Sequence, residues 1–181
     1  MLLIVSQFIG VMAVALYLLS FQLKKRKQIV WCTCLSNALY VLQYLLLGAF
    51  SGAVMDFLST VSSFFAGKKN EAWFKRYSRL IALLNFGMIF AAGIFLAVVQ
   101  KDPIELLPIA GAILQTGGLW FDDEQIIRKF GLGSAPFWLI YNFISRAYGA
   151  ALGSVLAICS SSIAVVRYRK RKLKFQQEDK S

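Results

Sequence analysis

The sequence predicts an all-α polytopic membrane protein, with seven transmembrane helices arranged as two parallel three-helix bundles plus a linker helix, and three observations carry that prediction. Apolar segments recur at roughly 2–23, 29–47, 51–67, 78–99, 103–121, 131–145 and 147–166, giving seven candidate spans. Lys and Arg fall almost entirely between alternate segments. The first three segments and the last three share one plan of loops and turns. Composition agrees: 58% hydrophobic residues and a mean hydropathy of +0.62 exceed those of an ordinary soluble domain, and 14% aromatic residues suit interfacial belts.

The first segment is an uninterrupted apolar run followed by Lys24, Lys25, Arg26 and Lys27. As a helix it extends ~33 Å, enough for a hydrocarbon core of ~30 Å. Basic residues are retained on the cytoplasmic side, so this order predicts an amino terminus outside. Ala13-Val14-Ala15 imitates a signal-peptidase site, but no positive residue precedes it and the apolar run continues past it, which is the pattern of an anchor.

With that start, the second and third segments are joined by a tight outer turn at residues 48–52, and Lys68, Lys69, Lys75, Arg76 and Arg79 lie inside around a cytoplasmic loop at 68–77. The fourth segment, 78–99, carries no charge from residue 80 onward and reads as a linker touching lipid or packing on one bundle. The fifth and sixth are joined by an inner loop at 122–129 with Arg128 and Lys129, and a second outer turn at 145–149 leads to the seventh. A basic tail at 167–181 ends the chain inside and is expected to attract anionic lipid. The scheme places 18 of the 20 basic residues inside, leaving only Lys101 and Arg146 out. The net charge of +11 therefore reflects topology in short loops and not nucleic-acid binding.

A shift of 97 residues superposes Leu42 on Leu139, Tyr44 on Tyr141, Gly52-Ala53 on Gly149-Ala150 and Ser63 on Ser160. Residues 1–67 and 103–166 thus read as two copies of one three-helix unit. A unit of three crossings starts and ends on opposite sides, so two copies share an orientation only when an odd helix separates them. Residues 78–99 supply that helix.

Catalysis and cofactors find no support. The chain has no His, and Cys32, Cys34 and Cys159 have no metal-ligand spacing. No Ser has a plausible base nearby in sequence, and no ATP-binding signature occurs. Asp122, Asp123 and Glu124 read as a solvated turn in preference to a metal site.

A pocket for a small polar solute needs flat aromatic faces beside amides or hydroxyls. Asn37, Tyr40, Gln43 and Tyr44 on the second segment supply these, with Tyr40 and Tyr44 one helical turn apart. Trp138, Tyr141 and Asn142 occupy the corresponding stretch of the sixth, and Gln115 with Thr116 adds polar groups to the fifth. For each, interhelical hydrogen bonding is the competing reading. Asp56 is the one acid well inside an apolar segment, where insertion costs about 2.5–3.5 kcal/mol at mid-membrane. Asp56 and Arg146 are expected either to meet as an outer gate or to act apart, with Arg146 at the headgroups and Asp56 capping a turn or protonated. Pro108 and Pro136 are the candidate hinges, because proline removes a donor from a helix ladder; the second bundle is then the one expected to move. Gly149-x-x-x-Gly153 and Gly10 with Ala13 read as close helix packing.

Glu105-Leu106-Leu107-Pro108-Ile109-Ala110-Gly111, Ser20-Phe21-Gln22 before a basic loop, Gln43-Tyr44 with Leu47-Gly48 at the first outer turn, and Tyr141-Asn142 before the second together resemble the YgjV-type bacterial inner-membrane proteins. The likeness covers nearly the whole chain and is most specific at Leu-Leu-Pro-x-x-Gly. Its three-one-three plan is similar to SWEET sugar transporters and to PnuC vitamin-nucleoside transporters. That resemblance implies a bacterial cytoplasmic (inner) membrane location, movement of a small polar molecule without ATP hydrolysis by rocking of bundles, and an acid–base pair at the outer gate. Where SWEET relatives close the first span with Pro-Gln, this chain has Phe21-Gln22. The expected function is a facilitator of a sugar- or nucleoside-like solute, neutral or zwitterionic, with the lipid bilayer as surroundings; a non-transporting interaction or sensory protein of the same fold is the alternative.

Overall fold

A computed structural model describes residues 2–160 and 162. The basic tail, Ser161 and the end of the seventh predicted segment lie outside the described residues. Among the described residues all regular structure is helical: α1 (Leu2–Gln22), α2 (Arg26–Leu47), α3 (Phe50–Lys68), a single turn α4 (Ala72–Lys75), α5 (Ser78–Gln100), a 3-10 turn at Pro103–Glu105, α6 (Leu106–Leu119), α7 (Glu124–Ile144) and α8 (Tyr148–Ser160). The seven predicted segments correspond to α1, α2, α3, α5, α6, α7 and α8. Three of them, α1, α2 and α5, are long and apolar enough to cross a membrane by themselves.

Two boundaries differ from the sequence reading, each for a local reason. The inner loop expected at 122–129 is mostly helix, because the Asp123 side chain accepts from the backbone N–H of Gln125 at 2.7 Å and Glu124 begins α7 where a negative charge suits the helix dipole. Arg128 and Lys129 therefore belong to α7. In the fifth segment, Asp102 caps the 3-10 turn through Ile104 N–H at 2.9 Å, and α6 proper starts at Leu106. Pro108 is then the third residue of α6, where backbone N–H groups have no intrahelical acceptor anyway. It interrupts no ladder, so the expectation of a hinge there is corrected. Pro136 does lie inside α7.

The packing alternates in direction. Ser36 Oγ donates to Ala13 O at 2.8 Å and Gln43 faces Gly10, so α1 and α2 run antiparallel. Arg26 reaches Ala66 while Tyr44 lies beside Gly52, so α2 and α3 do the same. α5 returns along α3, with Gln100 Nε2 donating to Ser51 Oγ at 2.5 Å, and presses Gly93 against Ile109 of α6. α8 closes the ring against α1: Gln7 meets Gly149, Val14 meets Gly153 and Gln22 donates to Ser160 at 3.3 Å, a rising register that makes these two helices parallel. The small residues Gly10, Ala13, Gly149 and Gly153 thus lie at helix crossings, as their spacing predicts.

Burial is inverted relative to a water-soluble protein. Ile4 is 74% exposed and Leu83 70%, whereas Asn37 and Gln43 are 0% exposed. Apolar residues cover the outside and amides and hydroxyls turn inward, the arrangement expected where lipid is the solvent.

The two turns at the α2–α3 and α7–α8 ends close alike. Ala49 N–H donates to Tyr44 O at 3.0 Å across a left-handed Gly48 (φ 73°), and Ala147 N–H donates to Asn142 O at 2.9 Å across a left-handed Arg146 (φ 58°). Glycine adopts this conformation freely, whereas arginine pays for its Cβ. Arg146→Gly is expected to stabilise the fold by about 1 kcal/mol, read as a rise in melting temperature in detergent. A fall would show that the Arg146 side chain holds more than its own turn.

Candidate functional site

α1, α2, α3, α6, α7 and α8 enclose an internal cavity. Tyr17, Tyr40, Tyr44 and Trp138 provide its aromatic walls, and Asp56, Gln115, Asn142 and Ser154 its polar ones. The space bounded by these residues, including its part open to the outside, is about 370 Å³.

The rings are held by their neighbours. Tyr44 stacks between Tyr40, with centroids 6.2 Å apart at 25°, and Trp138, 6.3 Å apart at 17°. Its hydroxyl donates to Asn142 Oδ1, and Asn142 Nδ2 donates to Ser154 Oγ at 3.3 Å, so one chain of hydrogen bonds joins α2, α7 and α8. Gly111 gives Trp138 its place: a Cβ there would stand 2.8 Å from Trp138 Nε1. That indole N–H is buried without an acceptor among the described residues.

Six of the proposed site residues meet here: Tyr40, Tyr44, Gln115, Trp138, Asn142 and Asp56. Four others do not line the cavity. Asn37 joins α2 to its neighbours, its amide nitrogen donating to Ser63 Oγ at 3.4 Å and its oxygen accepting from Gln115 at 2.9 Å. Gln43 is wedged against Gly10, and Tyr141 accepts from Gly52 N–H at 2.8 Å while packing edge-on to Tyr44. Thr116 bonds back to Ala112 O at 2.6 Å, as a helical hydroxyl commonly does.

The expected gate pair is not formed. Asp56 faces the cavity and is 3% exposed, while Arg146 is exposed with its carbonyl accepting from Gln7 at 3.1 Å. The salt bridges among the described residues involve neither of them. The separation follows from the turn, which spends Arg146 on a left-handed backbone position outside the bundle.

Tyr17 was missed by sequence reasoning. Its signal was the face it shares: Ser6, Gly10, Ala13 and Ser20 recur at helical spacing on α1 and are buried, and Tyr17 continues that stripe. A second cavity, about 280 Å³ with its open part, has Ser20, Thr33 and Arg128 set among the apolar Phe21, Ile29, Leu119 and Ile127, and shares Tyr17 and Gln115 with the first. These two side chains border both spaces.

A cluster at the opposite end from the turns at Gly48 and Arg146 was also illegible as such. Arg26 donates to Phe121 O at 2.8 Å, Ala66 O at 3.0 Å and Leu119 O at 2.7 Å. Lys69 Nζ donates to Trp120 O at 2.5 Å and pairs with Asp122 at 2.8 Å. Trp120 Nε1 donates to Ser62 Oγ at 3.1 Å, and Arg128 reaches Leu23 O at 2.8 Å. The acidic turn is exposed, as its reading as solvated expects, and through Asp122 it also joins a latch between the α2–α3 unit and the α6–α7 turn. The Lys69 hydrogen bond holds the Asp122 carboxyl below its ordinary range, with the charges of Lys69 and Arg26 adding to it. A depressed carboxyl contributes stability above its unfolded pKa, near 3.9, and loses it as pH falls through the folded value. Because Asp122 is 75% exposed, the gain is under ~1 kcal/mol. The melting-temperature difference between the native chain and Asp122→Asn is expected to hold from pH 7 to about 4 and to vanish below that.

The fold and the cavity define the class: an all-helical membrane protein with apolar helices outside and a polar, aromatic cavity within. A family model described as bacterial inner membrane protein, Imp-YgjV, matches residues 4–172, and the chain belongs to that family. Comparison with curated proteins and with solved structures finds no match.

Proposed function

We propose that this protein is a facilitator for a small polar solute, crossing the inner membrane seven times with its amino terminus outside and its carboxyl terminus in the cytoplasm. On this reading α1–α3 and α6–α8 are two three-helix units of like orientation, α5 is the spacer, and solute passes between them by alternating exposure of the cavity. The single observation that carries the proposal is the pair of cavities that share Tyr17 and Gln115 in their linings, since two adjoining spaces with polar side chains set in apolar walls, inside a lipid-facing bundle, suit an interrupted pathway.

Several features support it. The alternating helix directions bring Arg26, Lys69 and Arg128 to one end, as a cytoplasmic face requires. The matched turns at Gly48 and Arg146 and the contact of Tyr44 with Tyr141 suit a duplicated unit, although the turns correspond at a shift of 98, one more than the identities give. The latch at Arg26, Lys69 and Asp122 would close the cytoplasmic end and part when that end opens. Pro136 removes one hydrogen bond from α7 and offers that helix a place to bend.

The test is uptake into proteoliposomes against a panel of sugars, nucleosides, amino acids and organic cations, beside protein-free vesicles. Transport of one class, reduced by Gln115→Leu, supports the reading. A ligand that stabilises the fold in a thermal-shift panel but never crosses would instead make this a sensory or interaction protein.

A further inference from the structure

We infer that the cavity is a binding site for an organic cation, with Asp56 as its counter-charge and Tyr17, Tyr40, Tyr44 and Trp138 as its aromatic walls. This deepens the transport reading by naming the solute class, and it rests on that reading only for the claim that the bound molecule also crosses.

Asp56 lies about 20 Å along α3 from Lys69, at ~1.5 Å per residue, so the latch lysine is remote from it. Among the described residues no hydrogen bond or ion pair reaches its carboxyl group, although the residue is 3% exposed. Asn142 accepts from Tyr44 and donates to Ser154, and Gln115 donates to Asn37, while the Trp138 indole N–H has no acceptor among the described residues. A carboxylate enclosed in this way must hold either a proton or a cation.

The neighbours favour an organic cation over a metal ion. Calcium takes six to eight oxygen ligands and magnesium a near-octahedral set, while Asp56 is the only carboxylate of this cavity. Tyr40, Tyr44 and Trp138 form a continuous stack beside it, and Tyr17 stands on the facing helix. Aromatic rings attract ammonium groups through the negative potential of their faces, most strongly when water is excluded. A carboxylate in a cavity lined by aromatic side chains therefore favours a singly charged ammonium over a neutral molecule of the same shape. Arg128 in the second cavity carries a positive charge and would repel such a cation from the cytoplasmic side until its own contacts rearrange.

The experiment uses the full chain in nanodiscs of neutral lipid, with choline and its uncharged carbon isostere 3,3-dimethyl-1-butanol as probes, followed by calorimetry and tryptophan fluorescence. The assignment requires choline to bind at least tenfold more tightly than the isostere, and Asp56→Asn to lose at least tenfold. Tyr40→Leu is expected to weaken choline three- to tenfold while Tyr40→Phe retains it, and these two variants decide the matter if Asp56→Asn does not fold. Equal binding of choline and the isostere, unchanged binding by Asp56→Asn, or no binding of choline overturns the inference. Vesicle uptake separates the two claims. Transport of a neutral solute without choline binding leaves the transport reading and removes the cation site, whereas choline that binds without crossing does the reverse.

Discussion

Gly153→Ala is expected to destabilise the protein by about 1–3 kcal/mol, and Val14→Ala in the same chain to recover most of that loss. A Cβ on Gly153 would stand 2.1 Å from Val14 Cγ2 and 2.9 Å from its Cβ. Valine in a helix has one strongly preferred rotamer, so the methyl cannot swing aside and the two helices must separate. Separation reaches beyond the crossing, because the same interface carries the Gln7 bond to Gly149 and the Gln22 bond to Ser160. α8 also holds Ser154 against Asn142, so movement of α8 loosens the cavity wall. Gly10 provides the contrast: its nearest neighbour is the end of the Gln43 side chain, which can turn away, and Gly10→Ala should cost less. Thermal unfolding of the two single variants and the double variant in one detergent checks this as a mutant cycle. An additive double variant would mean that the crossing does not set the stability of α8.

Arg26→Ala should cost about 2–4 kcal/mol, since hydrogen bonds from a charged donor contribute about 1.5–3 kcal/mol each and part of the loss is made good by water. Arg26 satisfies carbonyls of Ala66, Leu119 and Phe121, the exposed ends of α3 and α6 and the turn beyond. Lysine is no substitute, because one ammonium lacks the planar fork that reaches three carbonyls, and Arg26→Lys should recover less than half of the loss. If the latch closes the cytoplasmic end during transport, Arg26→Ala also raises the reactivity of a cysteine placed at Thr33, which lines the second cavity. Lower stability with unchanged accessibility would make the cluster structural only.

Much of the helical organisation was legible because lipid and the peptide backbone impose it. A long apolar run has to satisfy its own backbone, and so α1, α2, α3 and α5 begin and end within a few residues of the apolar limits. Boundaries slipped where local chemistry outranked hydropathy, as at Asp123, whose cap starts α7 amid charged residues. The site was half legible. Tyr40, Tyr44 and Trp138 announced themselves by being aromatic one turn from polar neighbours, and they reach the cavity together. Asn37 and Gln43 share the same stretch of α2 but face other helices, because successive residues of a helix turn by about 100° and a cavity takes only one side.

The sequence by itself determined that helices would form and, within a few residues, where most of them would turn. Both follow from forces acting along the chain: hydrogen bonds within a helix and the transfer of apolar side chains out of water. Only the tertiary structure decided which polar residues meet. It parted Asp56 from Arg146, brought Tyr17 to Trp138 across the cavity, and spent Asp122 on a latch. The physical reason is that contacts between helices depend on the rotation and approach of each one. Those are set where Gly153 meets Val14 and Gly111 meets Trp138, by the absence of a single methyl group.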